Sequence, residues 1–262
     1  MKQKYQHIKC KITHNVLNII LDRPQKKNAL NPNMTMELIK VLKDNKNNIN
    51  IRVVVLSSSS DVFCAGADIE YLNEIITYNF KQHLEDSKIL MSLYKLMLSY
   101  PKLIIAKVCG AALGGGCGIM TASDIIFTTN NSKFGYPEVK IGFTPALVSV
   151  FLIQRLSISN IRFLLLSGEI ISANDGKELG ITNYLCEDED IDEKINIFIE
   201  KFTQRTSPTS IENTKKILYS TLALEEKLEY AAELNAKSRM TDDFKKGIQA
   251  FIKKQQINWN QI

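Results

Sequence analysis

Five of the chain's twelve glycines fall between Gly110 and Gly118, in the run Cys109-Gly110-Ala111-Ala112-Leu113-Gly114-Gly115-Gly116-Cys117-Gly118. Apolar Leu103-Ile104-Ile105-Ala106 precedes the run and Ile119-Met120-Thr121-Ala122 follows it, which predicts a strand, a glycine turn and a short helix. A helix that starts on glycines leaves its first N–H groups unpaired at the positive end of its dipole. It also has no side chains to keep a ligand off the backbone. Such a turn can bind a negative oxygen. A tight turn with close packing and no ligand fits a glycine cluster equally well. Two nucleotide loops do not fit. No Gly-Lys-Ser/Thr closes the run, and Gly114, Gly116 and Gly118 lack the G-x-G-x-x-G spacing.

Two further stretches could contribute chemistry. Val62-Phe63-Cys64-Ala65-Gly66-Ala67-Asp68-Ile69 lies beyond the apolar segment Arg52 to Leu56 and a serine turn, just past a strand end. Ligands gather at such ends in open α/β sheets. Amides near Gly66-Ala67 and near Gly114-Gly115 could therefore converge on one oxygen. Phe134-Gly135-Tyr136-Pro137-Glu138-Val139 supplies a lone carboxylate in an apolar neighbourhood. Taken alone, Glu138 reads as a first-turn helix acid. Tyr136 reads either as an acyl contact or as core. Cys64 and Cys117 flank the amides but have no histidine in their motifs, so both read as packing. His83 falls on a predicted helix and reads as a surface residue.

The elements that must position these groups alternate. Val16 to Leu21 is a predicted strand, Asn33 to Lys46 a helix capped by Asn31 or Asn33, and Arg52 to Leu56 a buried strand. Phe80 to Ser99 has helical spacing and stops before Pro101. The strand ending near Val108, the glycine helix and the strand Ile125 to Thr129 follow. This alternation predicts an α/β core with parallel strands. After Pro145 the pattern is helical, apart from a weak strand signal around Tyr184. A core over residues 1–200 and a helical tail over 201–262 is the expected organisation. The tail's apolar stripe, from Ile217 and Leu218 through Leu228 to Phe244, Ile248 and Phe251, must bury itself on the core or on another subunit.

At 262 residues and 45% hydrophobic content the chain can build a sizeable core. Its net charge of +5 comes from scattered lysines, which argues against nucleic acid as the main partner. The N-terminal residues carry no apolar leader segment, and no apolar stretch is long enough to span a bilayer. Five separated cysteines without C-x-x-C spacing, and three histidines all before Gly110, argue against a zinc site. A cytoplasmic, reduced protein with no membrane association is the expectation.

Together the three motifs resemble the enoyl-CoA hydratase/isomerase, or crotonase, family. The likeness covers nearly the whole chain. It runs from Asp22-Arg23-Pro24 and Lys27-Asn28-Ala29-Leu30-Asn31, through the Phe63 to Ile69 and Gly114 to Cys117 stretches, to Ser123-Asp124-Ile125. It continues with Phe134 to Gly142 and ends in Glu169 to Ala173 and Gly180-Ile181. The resemblance implies a ββα spiral core with the helical tail covering the site. It implies a thioester carbonyl held by the Ala67 and Gly115 amides, with Glu138 as acid/base. The substrate is an acyl-CoA thioester, or one on acyl carrier protein, lying along Ala65, Gly66, Asp68, Ile69 and Gly114. Adenine sits near Ala65 to Ile69, with Lys26 and Lys27 as phosphate neighbours and Tyr136 near the acyl group. No cofactor beyond the substrate's coenzyme A and no metal are implied, and the chain is expected to form trimers or hexamers.

One position departs from the pattern. Family hydratases with two catalytic glutamates carry one where this chain has Gly118. A single carboxylate suffices to move a proton between two carbons, as single-glutamate isomerases do. The surrounding stretch also looks like hydratases or dehydratases of branched glutaconyl-type thioesters, in which a substrate carboxylate or a water would fill the space beside Gly118. Water addition or removal at a 2-enoyl thioester is the leading expectation. Δ3,Δ2-isomerisation is second, and a binding scaffold without turnover third.

Overall fold

Alternation with a period of two along the central strands decides how the chain folds, because both faces of its main sheet are covered. The structure, a computed structural model, describes residues 5–261. An antiparallel pair, β1 (Ile8–Thr13) and β2 (Val16–Leu21), leads through a 3₁₀ turn to α1 (Pro32–Asn45). The Asn31 side chain accepts from the Met34 N–H at 2.9 Å and Pro32 starts the helix, so Asn31 is the cap.

Three chain turns of the same plan follow. In the first, β3 (Val53–Ser58) and β4 (Val62–Cys64) lead to α2 (Ile69–Ile75) and α3 (Phe80–Leu98). In the second, β5 (Leu103–Val108) and β6 (Ala111–Leu113) lead to α4 (Gly115–Ala122). In the third, β7 (Ile125–Thr129) and β8 (Lys133–Gly135) lead through the 3₁₀ turn Pro137–Ile141 to α5 (Ala146–Leu152). Each turn gives its first strand to one sheet and its second to another. Then come α6 (Ile158–Ser167), β9 (Ile170–Ser172), α7 (Ala173–Glu178) and β10 (Tyr184–Cys186). The large sheet has the order β1-β2-β3-β5-β7-β10, parallel from β2 onward; the small sheet runs β4-β6-β8-β9. The protein is thus an α/β spiral.

Val54, Leu56, Ile104, Ala106 and Ile126 face the main core. Their neighbours Val53, Val55, Leu103, Ile105 and Phe127 face the opposite side, where α8 (Ile191–Arg205) covers them with Ile191, Ile195 and Ile199. The chain ends in α9 (Pro208–Thr221), α10 (Leu224–Ser238) and α11 (Asp242–Ile252). Helix α10 packs on α3 and α5, and α11 packs on α2 and the Pro137–Ile141 turn. Leu224, Leu228, Ala231, Ala232, Phe244 and Ile248 are buried there, while Ile217 and Leu218 remain exposed.

Two expectations need correction. The region after Pro145 is not wholly helical up to Tyr184, because Ile170–Ser172 forms a strand antiparallel to β8. Three residues with one buried side chain, Ile171, are too few to show alternation. His83 is not on the surface. It is 1% exposed and lies between the rings of Tyr78 and Phe244, under α11. A helix contributed from so far along the chain cannot be read from the local pattern around His83.

The two sheets hold the motif loops against each other with no slack. A Cβ on Gly116 would lie 2.6 Å from the Cβ, carbonyl oxygen and Sγ of Cys64. Gly116→Ala should therefore lower stability by about 1–3 kcal/mol, the usual range for overpacking. Thermal denaturation would show this as a fall in Tm.

Candidate active site

The loop after β4 is templated by Leu30. The Leu30 N–H donates to the Gly66 carbonyl at 2.7 Å, and the Asp68 N–H donates to the Leu30 carbonyl at 2.8 Å. These bonds flank Ala67 as in a parallel bridge, so its own N–H faces the other way. Asp68 then anchors the loop. Its carboxylate pairs with buried Arg23 at 2.7 Å and caps α2 by accepting from the Glu70 N–H at 2.9 Å. That pairing outweighs burial and holds the Asp68 carboxyl below the ordinary value, although burial itself is the largest single influence.

The second loop joins β6 to α4. Gly114 has φ +51°, a left-handed conformation that side chains rarely adopt, and its N–H donates to the Gly135 carbonyl at 2.9 Å. Gly115 is the first residue of α4, so its N–H has no partner within the helix. Among the described residues, neither the Ala67 nor the Gly115 N–H donates to a protein acceptor. Both residues line the same cavity of about 370 Å³.

Glu138 enters that cavity from the Pro137–Ile141 turn. It is 8% exposed, and its Oε2 has no hydrogen-bond partner among the described residues. Burial pushes the carboxyl up to about 7. The Glu138 Oε1 lies 3.1 Å from where a Gly114 Cβ would stand, so a side chain there would crowd the carboxyl. Two free amides and an acid poised near neutrality thus share one mostly apolar space. Such an arrangement can hold a developing oxyanion and move a proton beside it.

The space beside Gly118 is not empty. A Cβ there would lie 2.2 Å from the Tyr94 hydroxyl and 2.9 Å from a Val148 methyl. The expectation that a substrate carboxylate or water fills it is corrected: the phenol of Tyr94, on α3, does. That hydroxyl donates to the Gly115 carbonyl at 3.0 Å, beside the free amide.

Ala65, Gly66, Ala67, Gly114, Gly115 and Glu138 all line the cavity. Lys27, Asp68, Ile69 and Tyr136 do not. Tyr136 is fully buried and shares a 2.9 Å hydrogen bond with Thr121, so the structure places it in the core, not against an acyl group. Lys27 and Ile69 are exposed on the surface, and Lys26 pairs with Glu70. Cys64 and Cys117 are fully buried, and burial pushes both thiols up to about 12, out of reach as nucleophiles. Tyr71, Asp86, Tyr94, Asn235, Arg239 and Phe251 also line the cavity. Phe251 belongs to the tail's apolar stripe, and the other five did not stand out in the sequence. They lie on helices α2, α3 and α10, or just past the end of α10, with no motif to mark them.

Strand-end loops that present two free amides beside one buried carboxyl, on an α/β spiral with covering C-terminal helices, make this a crotonase-type protein. The chain belongs to the enoyl-CoA hydratase/isomerase family, whose sequence pattern matches residues 11–262. A Thermus thermophilus protein is 34% identical over 238 residues, which cover 90% of this chain and 94% of that one. The 2,3-dehydroadipyl-CoA hydratase of Escherichia coli is 29% identical over 242 residues, covering 91% and 92%. Among solved structures, an enoyl-CoA hydratase from Shewanella pealeana superposes with a TM-score of 0.80 at 28% identity, covering 98% of this chain and 97% of that one. This is a crotonase-family enzyme. Among the described residues, no helix is long and apolar enough to cross a membrane.

The raised Glu138 carboxyl carries a stability signature. The folded state keeps this proton up to about pH 7, whereas the unfolded chain releases it near 4.5. Stability should therefore fall as pH rises through that window, by up to about 3 kcal/mol. Glu138→Gln removes the linkage. Its stability relative to the parent should rise between pH 5 and pH 8, as urea denaturation at the two pH values would show.

Proposed function

We propose that this enzyme adds water to, or removes it from, a 2-enoyl thioester, using Glu138 as its one acid/base. The observation that carries the reading is Glu138 itself, a buried carboxyl held near neutrality beside two free amides. In the hydration direction, the Glu138 carboxylate takes a proton from water as the water oxygen bonds to the β-carbon. The π electrons move onto the thioester oxygen, where the Ala67 and Gly115 amides hold the enolate. Each such donor is worth about 3 kcal/mol of barrier. When the enolate collapses, the same carboxyl returns its proton to the α-carbon. H and OH have then been added, and Glu138 is ionised again. No cofactor beyond the substrate's coenzyme A is needed in this scheme, and acyl carrier protein is the alternative carrier.

Tyr94 favours a second reading. With a phenol in the space of a second carboxylate, only one carboxyl can anchor a water. A Δ3,Δ2-isomerase needs no water, since Glu138 would shuttle one proton between the α- and γ-carbons. The relatives support hydration, as the E. coli protein is named for it. A homo-oligomer, trimer or hexamer, is part of the proposal, supported by exposed Ile158, Phe163 and Leu166 on α6. Light scattering should give three or six times the 29.7 kDa chain mass.

A panel of 2-enoyl and 3-enoyl thioesters in deuterated water separates the readings. Net water addition supports the hydratase, and double-bond migration without it supports the isomerase. Absence of both turnover and α-exchange would leave a binding scaffold. Glu138→Gln should lower kcat by about 10²–10⁴-fold. For the parent enzyme, kcat/KM should rise with pH as the base ionises and level off above about 7. Near-parental turnover by Glu138→Gln would move the base elsewhere.

A further inference from the structure

Arg239 is held unlike the chain's other arginines that are not exposed. Arg23 donates through Nη1 to the Ala29 carbonyl and through Nη2 to Asp68. Arg52 uses both terminal nitrogens, on the carbonyls of Thr203 and Thr206. Arg155 uses Nε on the Thr121 carbonyl and Nη2 on those of Ser123 and Asp124. Arg239, just past the end of α10, is 6% exposed and donates through Nη1 alone, to Asp86 Oδ2. Its Nε is buried with no acceptor among the described residues. Of these four arginines, only Arg239 lines the cavity that holds Glu138.

Its polar neighbours on the wall already have partners of their own. Asp86 takes the Tyr71 hydroxyl on Oδ1 and Arg239 on Oδ2. Asn235 accepts from Ser87 at 2.7 Å and donates to the Thr144 carbonyl at 3.1 Å. The guanidinium lies over the Phe143 ring, 5.0 Å from its centroid. A guanidinium has five N–H donors, and burying them without acceptors is unfavourable. Leu72, Ile75 and Phe251 on the same cavity would serve a plain alkyl tail without any arginine. Arg239 and Asp86 balance each other's charge, and the Arg239 Nε is left without an acceptor among the described residues.

We propose that the acyl tail received in this cavity carries an oxygen acceptor, and that Arg239 binds it. This rests on the acyl-thioester reading given above. A carboxylate, a ketone and a hydroxyl share the required chemistry, and the test separates a charged from a neutral oxygen. Calorimetry on the full chain would compare hexanoyl-CoA with adipyl-CoA and 5-oxohexanoyl-CoA, saturated thioesters that need no turnover to report binding. One or both oxygen-bearing tails should bind about tenfold more tightly than hexanoyl, the worth of one hydrogen bond to a charged donor. A gain for adipyl alone identifies a carboxylate; a gain for both identifies any acceptor oxygen. Hexanoyl binding as tightly as both would overturn the proposal.

Arg239→Met should bring the ratio close to one. Arg239→Lys keeps a cation for Asp86, protecting the fold if the methionine variant fails to fold, but lacks the guanidinium fork. It too should lose most of the preference. A parental ratio in Arg239→Met would overturn the assignment to Arg239. Failure of the hydration chemistry would look different: no enoyl turnover, with the tail preference intact. Absence of binding by all three thioesters would contradict both.

Discussion

The site depends on one constraint: two loops from different turns of the spiral must touch through backbone. Cys64 and Gly116 meet where a methyl group would not fit, and Leu30 bonds on both sides of Ala67. Those contacts fix which amides stay unpaired and bring them to one cavity. The long buried strands supply the rigidity behind them. Val53 to Leu56 and Leu103 to Ala106 are packed on both faces, so the short strands that carry the loops cannot shift independently. A donor on a backbone held this way needs no side-chain ordering when charge develops on a ligand oxygen.

The same cavity holds two ionisable arrangements of opposite character. Glu138 is buried, and burial raises its carboxyl to about 7. Asp86 is part-buried against Arg239 and Tyr71, which use its oxygens. A carboxyl held as Glu138 is can exchange a proton near neutrality. Tyr94 lines the same cavity. Its ring occupies the volume a side chain at 118 would need, and its hydroxyl is spent on the Gly115 carbonyl. Position 118 and position 94 therefore act as a matched pair of small and large residues.

Much of the fold was legible because its signals are local. Strands Val16–Leu21 and Ile125–Thr129 and the helix opening on the glycines show in periodicity and composition. The cavity residues Ala67, Gly115 and Glu138 lie in motifs whose order along the chain points to them. What stayed hidden depends on contacts between distant segments. Ile170–Ser172 is a strand only because β8 is beside it. His83 is buried only because α11 covers it, and Tyr136 turns into the core to meet Thr121. Tyr94 looks like any other apolar-face residue of α3, and its role emerges only once Gly118 is seen against it. Arg239 gives no local signal at all, since its partner Asp86 lies 153 residues earlier.

The central claim is that the Ala67 and Gly115 amides grip one thioester oxygen. Difference infrared spectroscopy of a bound acyl-CoA labelled with ¹³C at the thioester carbonyl reads that grip directly. Two hydrogen bonds to the oxygen weaken the C=O bond, so its stretch should move to lower frequency than in free solution. It should do so in Glu138→Gln as well, because the donors are backbone. A bound carbonyl that absorbs at its solution frequency would contradict the account.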